Sequence, residues 1–365
     1  MINALSFQTE IQKQLSKLAG LLPFSTFTDE QWEWGFDMHQ TSKSEFHGHA
    51  EAYVLPRFYE TKNQEQKRFE SHEIPHTKAP FLNFNDFIKS WCDNLMYYEG
   101  PDFYFDLAQG CMERMVRDKI TYCELHFSPF DSLALRGLTL SKDSQYLDEL
   151  RKIINSFLKG LQCAQTSQPG YACKAILDPV SVRPQTEMET LFDLLQEITS
   201  DLSLRHQDGS AILVGLGMGG PELPEKIPTQ VSIYHKMRKE LGLGLDIHTG
   251  EQNHVSPQLH REVIELMKPD RVSHGIKGFS ENYFFNGPIA VNPLSNLITG
   301  CWKDQLKEHP VSKMKDLGVR FSVNSDDPLL FNTCLTLEYM CLHRVFGWEK
   351  SVFLDNQMPL SPWND

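Results

Sequence analysis

Short apolar stretches recur along this chain at near-regular intervals, each set apart from the next by residues with helical periodicity. Counting from His47 there are eight, the first ending in Ser44-Glu45-Phe46-His47-Gly48-His49. The others are Ile120 to Phe127, Cys173 to Asp178, Ala211 to Leu216, Leu243 to His248, Arg271 to His274, Pro288 to Asn292, and Val319 to Asn324. Helical spacing fills the gaps over Met112 to Asp118, Ser144 to Leu161, Thr186 to Thr199, Gln230 to Leu241, Gln258 to Met267, Val311 to Leu317 and Leu329 to Val345. Strands that alternate with helices pair in parallel. Eight such units in roughly 300 residues fit a closed α/β barrel, the (β/α)8 or TIM-barrel architecture, better than a doubly wound open sheet.

The barrel is expected over residues 44–350. Residues 1–43 read as an N-terminal helical extension, because Leu5, Ile11, Leu15, Leu18 and Leu22 fall at helical spacing and Asp29 opens a second helical pattern. About 53–100 is too long for a simple connection and reads as a lid-like helical insertion after the first strand. Residues 351–365 form a C-terminal tail.

The formal net charge of −13 disfavours a nucleic-acid partner, which would call for a basic face. Met1 to Leu22 lacks the continuous apolar region of a signal peptide. No stretch approaches the roughly 18 apolar residues of a membrane span. Eight cysteines are scattered without a CxxC pair, as expected of free thiols in a reducing compartment. The expectation is a cytoplasmic protein, with no membrane partner and its oligomeric state open.

In a (β/α)8 barrel the chemistry lies at the C-terminal ends of the strands. In this chain those ends carry His47 and His49, Glu124 and His126, Asp178, the glycine run 215–220, His248 and Glu251, His274, Asn292, then Asp326 and Asp327. A lone histidine there is more often a satisfied core residue than a ligand. Two histidines two apart on a strand point the same way. With a third histidine and a carboxylate from other strand ends they make a His3Asp set suited to Zn2+. Asp326 and Asp327 can serve one site only if the chain turns between them, and Pro328 makes a turn there plausible. A solvated turn leading to a helix cap is the alternative.

The blocks FHGHAEA (46–52), YCELHFSP (122–129), GMGGPE (217–222), IHTGE (247–251), RVSHG (271–275), NPLSNLITGCW (292–302) and SVNSDDPLLF (322–331) together resemble those of the adenosine deaminase family, in the family's order. The resemblance implies that His47, His49, His248 and Asp326 hold one zinc ion per chain. It implies that Glu251 protonates the purine ring at N1 and that His274 takes the proton of the attacking water. Asp327 would hydrogen-bond N7 and help place the hydroxide, and the Gly220 N–H would meet N3. The sugar-facing aspartate of adenosine deaminases is replaced by Glu51, the residue type of adenine-specific relatives, and Ala52 stands in place of a glycine. His126 stands where an arginine is usual, and Gly217 where an aspartate is often found.

The implied activity is hydrolytic deamination of a small 6-aminopurine. An adenosine-type nucleoside giving inosine and ammonia is the first expectation, and free adenine or another substituted purine the alternative. Three rivals remain at this stage. Gly215 to Gly220 matches the dinucleotide pattern GxGxxG, but Pro221, Pro224 and Pro228 follow where a helix should begin. A binuclear amidohydrolase would need a bridging lysine or carboxylate at a strand end, and Lys174 lies at the start of its strand. A non-catalytic binding relative would not need the acid, base and ligand set together. The HxE and PCxxC signature of zinc nucleic-acid deaminases is absent.

Overall fold

A computed structural model describes residues 28, 44–53, 81, 83–95, 100–138, 144–179, 183–280, 285–331 and 333–355. Its eight strands are β1 (Ser44–His49), β2 (Tyr122–Phe127), β3 (Ala172–Leu177), β4 (Leu213–Met218), β5 (Gly244–Thr249), β6 (Arg271–His274), β7 (Ile289–Val291) and β8 (Phe321–Val323). They form one parallel sheet in sequence order. The strands are buried on both faces, which is why each reads as a nearly continuous apolar run.

The ends of the sheet meet where β1 faces the chain just beyond β8. Gly48 pairs with Asp326, the His49 N–H donates to the Asp326 carbonyl at 3.1 Å, and the Phe46 N–H donates to Asn324 Oδ1 at 2.8 Å. The sheet thus curls into a nearly closed barrel, the (β/α)8 architecture read from the alternation.

Around it lie α1 (Phe84–Leu95), α2 (Gly100–Asp118), α3 (Pro129–Leu135), α4 (Ser144–Ser167), α5 (Gln185–Ser200), α6 (Val231–Leu241), α7 (Pro257–Met267), α8 (Pro293–Ile298), α9 (Val311–Asp316), α10 (Pro328–Phe331), α11 (Leu335–Phe346) and α12 (Lys350–Asp355). The pattern at 112–118 is the last part of a longer helix, α2. The single helix expected over 329–345 is two, α10 and α11. Three short helices, α3, α8 and α10, begin with proline, α3 and α8 one residue beyond β2 and β7, and α10 after the Asn324 to Asp327 stretch that follows β8. Proline at the first helical position gives up an N–H that would be unpaired in any case. Pro129 and Pro293 therefore turn the chain sharply just past their strands, and Pro328 does so after the Asp326–Asp327 turn.

The outer helices pack closely. A side chain at Gly160 of α4 would come within 2.6 Å of the Phe105 carbonyl and 2.7 Å of Ala108 Cβ on α2, so a glycine is required there. Gly215 to Met218 lie in β4 and are followed by a 3-10 turn, Pro224–Thr229, not by the helix a dinucleotide site needs. All eight cysteines are free thiols. No helix of the described residues is long and apolar enough to cross a membrane. The N-terminal extension (apart from residue 28), positions 54–80, 82 and 96–99 of the insertion, and 356–365 of the tail lie outside the described residues.

Candidate active site

At the C-terminal rim of the barrel the strand ends converge on a cavity of about 190 Å³. Its floor includes His49, His248, Glu251, His274, Asp326 and Asp327. One wall is apolar, from Phe84, Phe87, Ile88 and Trp91 of α1, and Gly219, Gly220 and Pro221 form another. The Trp91 ring stands edge-on to His49 with centroids 5.5 Å apart.

Backbone geometry brings the floor together. Asp326 adopts a left-handed conformation, φ 62°, and so does His274, φ 66°. That conformation is uncommon outside glycine; Lys119 and Lys268 also adopt it, Lys268 as a helix C-cap. The left-handed turn at Asp326, ahead of Pro328, is what lets Asp326 and Asp327 face the same cavity. Gly250 has φ 71°, and a Cβ there would lie 2.6 Å from His260 Nδ1, so the turn after β5 needs glycine on both counts.

Glu222 holds that turn from outside. Its carboxylate accepts the N–H groups of Gly250, Glu251 and Gln252 at 2.7, 2.9 and 2.8 Å. Glu222 stands in the GMGGPE block, and three successive turn N–H groups needing an acceptor are the signal that points to it.

The possible ligand atoms lie close. His47, His49 and His248 each offer one atom within 4.8 Å of the others, as do His47, His274 and Asp326, and His49, Asp326 and Asp327. His47 Nε2 is 3.1 Å from Asp326 Oδ1, and His49 Nδ1 is 2.8 Å from Asp327 Oδ1. Two details fit a metal. Both nitrogens of His248, a 6% exposed residue, lack a hydrogen-bond partner, which is costly for a buried imidazole without a ligand. Ser273 Oγ donates to Asp246 Oδ1 at 2.7 Å, so it accepts from His47 Nδ1 at 3.0 Å. That places the His47 proton on Nδ1 and leaves Nε2 with its lone pair toward Asp326.

Electrostatics separates the groups into acids and acceptors. Burial pushes His47 down to about 3, and His248 well below its ordinary value with help from the surrounding imidazoles, so both are neutral. Burial lowers His274 to about 4. Burial, then the carboxylates of Asp326, Glu222 and Asp327, raises Glu251 well above the usual range, so it holds a proton at neutral pH. Burial works against ionisation of Asp326, but the contact with His47 and the charge of His49, lifted against burial to about 10 by Asp327 and Asp326, hold its carboxyl well below the usual range.

Glu51 lies in a 3-10 turn directly after β1 and is fully buried. Its carboxylate accepts the Ser128 N–H at 2.7 Å, and Ser128 lines the cavity while Glu51 does not. Burial raises it to about 7. Gly220 lines the cavity with φ 77°, its carbonyl held by Gln252 Nε2 at 3.0 Å. Lys174, the residue a binuclear centre would have used, donates to Ser210 and to the Ala211 carbonyl instead. Ser295 and Asn296 of α8 were not legible as site residues. Ser295 Oγ donates to Asp326 Oδ2 at 2.5 Å, and Asn296 Nδ2 lies 3.0 Å from His274 Nδ1.

The adenine deaminase of Caulobacter vibrioides strain NA1000 is 28% identical over 320 residues, spanning 84% of this chain and 83% of its own. Two solved structures share the fold. Adenine deaminase from Arthrobacter aurescens has a TM-score of 0.66 at 19% identity, over 86% of this chain and 97% of its own. An amidohydrolase from Burkhoderia ambifaria with bound Zn has a TM-score of 0.69 at 17% identity, over 93% and 89%. The family match, described as adenosine deaminase, runs over residues 62–358 and begins beyond the His47-Gly48-His49 block. The chain belongs to the adenosine deaminase family and is a hydrolytic deaminase acting on C–N bonds.

Proposed function

We propose that the protein is a zinc-dependent deaminase of free adenine, replacing the exocyclic 6-amino group with oxygen and releasing ammonia. The observation that carries the reading is the floor of the cavity. Three histidines and Asp326 converge there, and the buried His248 has two unpartnered nitrogens. His47, His49, His248 and Asp326 would hold the metal. When bound, Zn2+ lowers the pKa of a water from 15.7 to about 7, which makes hydroxide available at neutral pH.

The chain's own residues supply the rest. A flat heteroaromatic ring fits between the apolar wall of α1 and the Gly219–Gly220 backbone. Glu251 brings a proton to ring N1, so that charge arriving with the attacking oxygen does not accumulate on the ring. Gly220 meets N3 and Asp327 meets N7. The attacking water's proton has two acceptors on the floor, His274 and Asp326.

Adenine is preferred to adenosine because of Glu51. A nucleoside site would offer an ionised carboxylate to the sugar. The carboxyl of Glu51 is instead buried outside the cavity lining, with Oε1 accepting the Ser128 N–H. The similarity to proteins named adenine deaminase supports the same choice.

The test is an ultraviolet assay of zinc-loaded protein against adenine, adenosine, 2′-deoxyadenosine, AMP and an N6-methylated adenine compound, with metal measured on the same sample. Adenine should be turned over with about one zinc per chain. Better turnover of adenosine or a nucleotide would return the site to the nucleoside reading. Silence on all five with zinc present would defeat the 6-aminopurine assignment.

A further inference from the structure

Behind His274 runs a chain of hydrogen bonds that starts from a backbone group and ends on the imidazole. His309 is fully buried and lies just before α9. The Val311 N–H donates to His309 Nδ1 at 3.2 Å. A backbone N–H can only donate, so His309 Nδ1 is an acceptor. A neutral imidazole has one donor and one acceptor, and the proton of His309 is therefore on Nε2. Burial keeps the ring neutral, with its pKa lowered to about 3.

His309 Nε2 is 3.2 Å from Asn296 Oδ1. Because Nε2 donates, the Asn296 carbonyl must face His309 and its NH2 must face the other way. The flipped amide would set an NH2 group against an N–H. The NH2 of Asn296 is 3.0 Å from His274 Nδ1, so His274 Nδ1 accepts and the neutral ring carries its proton on Nε2. Asn292 Nδ2, at 3.4 and 3.5 Å from the two ring nitrogens, favours neither. His274 Nε2 points toward Asp326 Oδ2, 3.9 Å away.

We propose that Asn296 and His309 are positioning residues that lock His274 as the Nε2–H tautomer, so that His274 donates a hydrogen bond to the attacking oxygen instead of taking its proton. The role in the reaction rests on the deaminase reading above. The O–H bond of the water then breaks toward Asp326, the carboxylate 3.9 Å from His274 Nε2, which gains the proton, and the oxygen's electron pair forms the bond to the ring carbon. This differs from the role the family resemblance gives His274.

The tautomer is read directly from a long-range 1H–15N correlation spectrum of 15N-histidine protein, with His274 assigned by loss of its signals in His274→Gln. Wild type should show an unprotonated Nδ1 and a protonated Nε2. Asn296→Asp offers only acceptors to His274 and should move the proton to Nδ1. It should also lower kcat about tenfold or more, with KM and zinc content nearly unchanged. His309→Phe frees the Asn296 amide to flip, should give a mixture of both tautomers, and serves if Asn296→Asp fails to fold. A wild-type spectrum with the proton on Nδ1, or a tautomer indifferent to both variants, overturns the proposal. The spectrum needs no substrate, so failure of the purine assignment is recognised separately in the assay.

Discussion

Two buried polar clusters sit one above the other in this barrel, and they are built on opposite terms. In the lower one Arg271 is fully buried, with Nε and Nη2 on Asp246 at 2.9 and 2.6 Å and Nη1 on Glu124. Asp246 also accepts from Ser273 and pairs with His126 Nε2 at 2.9 Å, and Glu124 takes the Tyr122 hydroxyl at 2.6 Å. In the upper cluster, a few ångströms toward the rim, His248 has neither nitrogen partnered and Asp326 stands among imidazoles. A buried polar group that has found its partners serves the fold. One left without them among ligand-type side chains that line a cavity is open to a ligand. Ser273 joins the two layers, receiving from His47 above and donating to Asp246 below. The saturated layer therefore fixes the tautomer of a residue in the unsaturated one.

The largest effect should come from breaking the saturated layer. Arg271→Met leaves Asp246 and Glu124 buried without their cation and should cost about 3–5 kcal/mol of folding stability. Chemical denaturation of metal-free protein measures it. A variant as stable as wild type would show that the lower layer contributes no structure.

The upper layer should respond in the opposite way. His248→Ala should change the stability of metal-free protein little, because no hydrogen bond is lost, while zinc affinity falls about 100-fold or more. Competition with a chelator and a melt in EDTA give both numbers. A large loss of metal-free stability would place His248 with the structural histidines.

The last effect is a pH slope, confined to the acid range. Burial lowers His260 to about 4, against about 6.5 when unfolded. Above pH 6.5 the ring is neutral in both states and costs nothing. As pH falls from 6.5 toward 4 the unfolded chain takes up a proton that the folded one refuses, so stability is lost at about 1.4 kcal/mol per pH unit. Stability of wild type and His260→Gln, compared between pH 7 and 4, should diverge by that slope. Parallel curves would mean that His260 is not held neutral.

Much of the barrel could be read before any coordinates. Each of the eight strands is a two-sided apolar run, and such runs admit few other structures when helical patterns separate them. The errors lie at the rim. Pro129, Pro293 and Pro328 are visible in the sequence, but that each starts a separate short helix depends on where its strand stops. The insertion and the extension carry helical periodicity, yet periodicity alone does not say against what a helix packs.

The site was legible to the extent that its chemistry is carried by residue type. Histidines two apart on a strand, a carboxylate three beyond a histidine, and a pair of aspartates before proline announce themselves by spacing. The supporting residues do not, because serine, asparagine and a buried histidine are common everywhere. Ser295 and His309 matter only through partners 31 and 13 residues away, Asp326 and Asn296. Glu51 is a carboxylate in the sequence, and its burial against Ser128 could not be foreseen.

The sequence by itself determined the eight-fold alternation, the ligand-type residues and the family, because those depend on periodicity and side-chain identity. The tertiary structure alone decided which protons sit where. Backbone groups such as the Val311 N–H have a fixed sense of donation, and only folding puts one next to a particular ring nitrogen. The same holds for burial, which keeps Glu251 protonated and His248 neutral through neighbours drawn from distant strands.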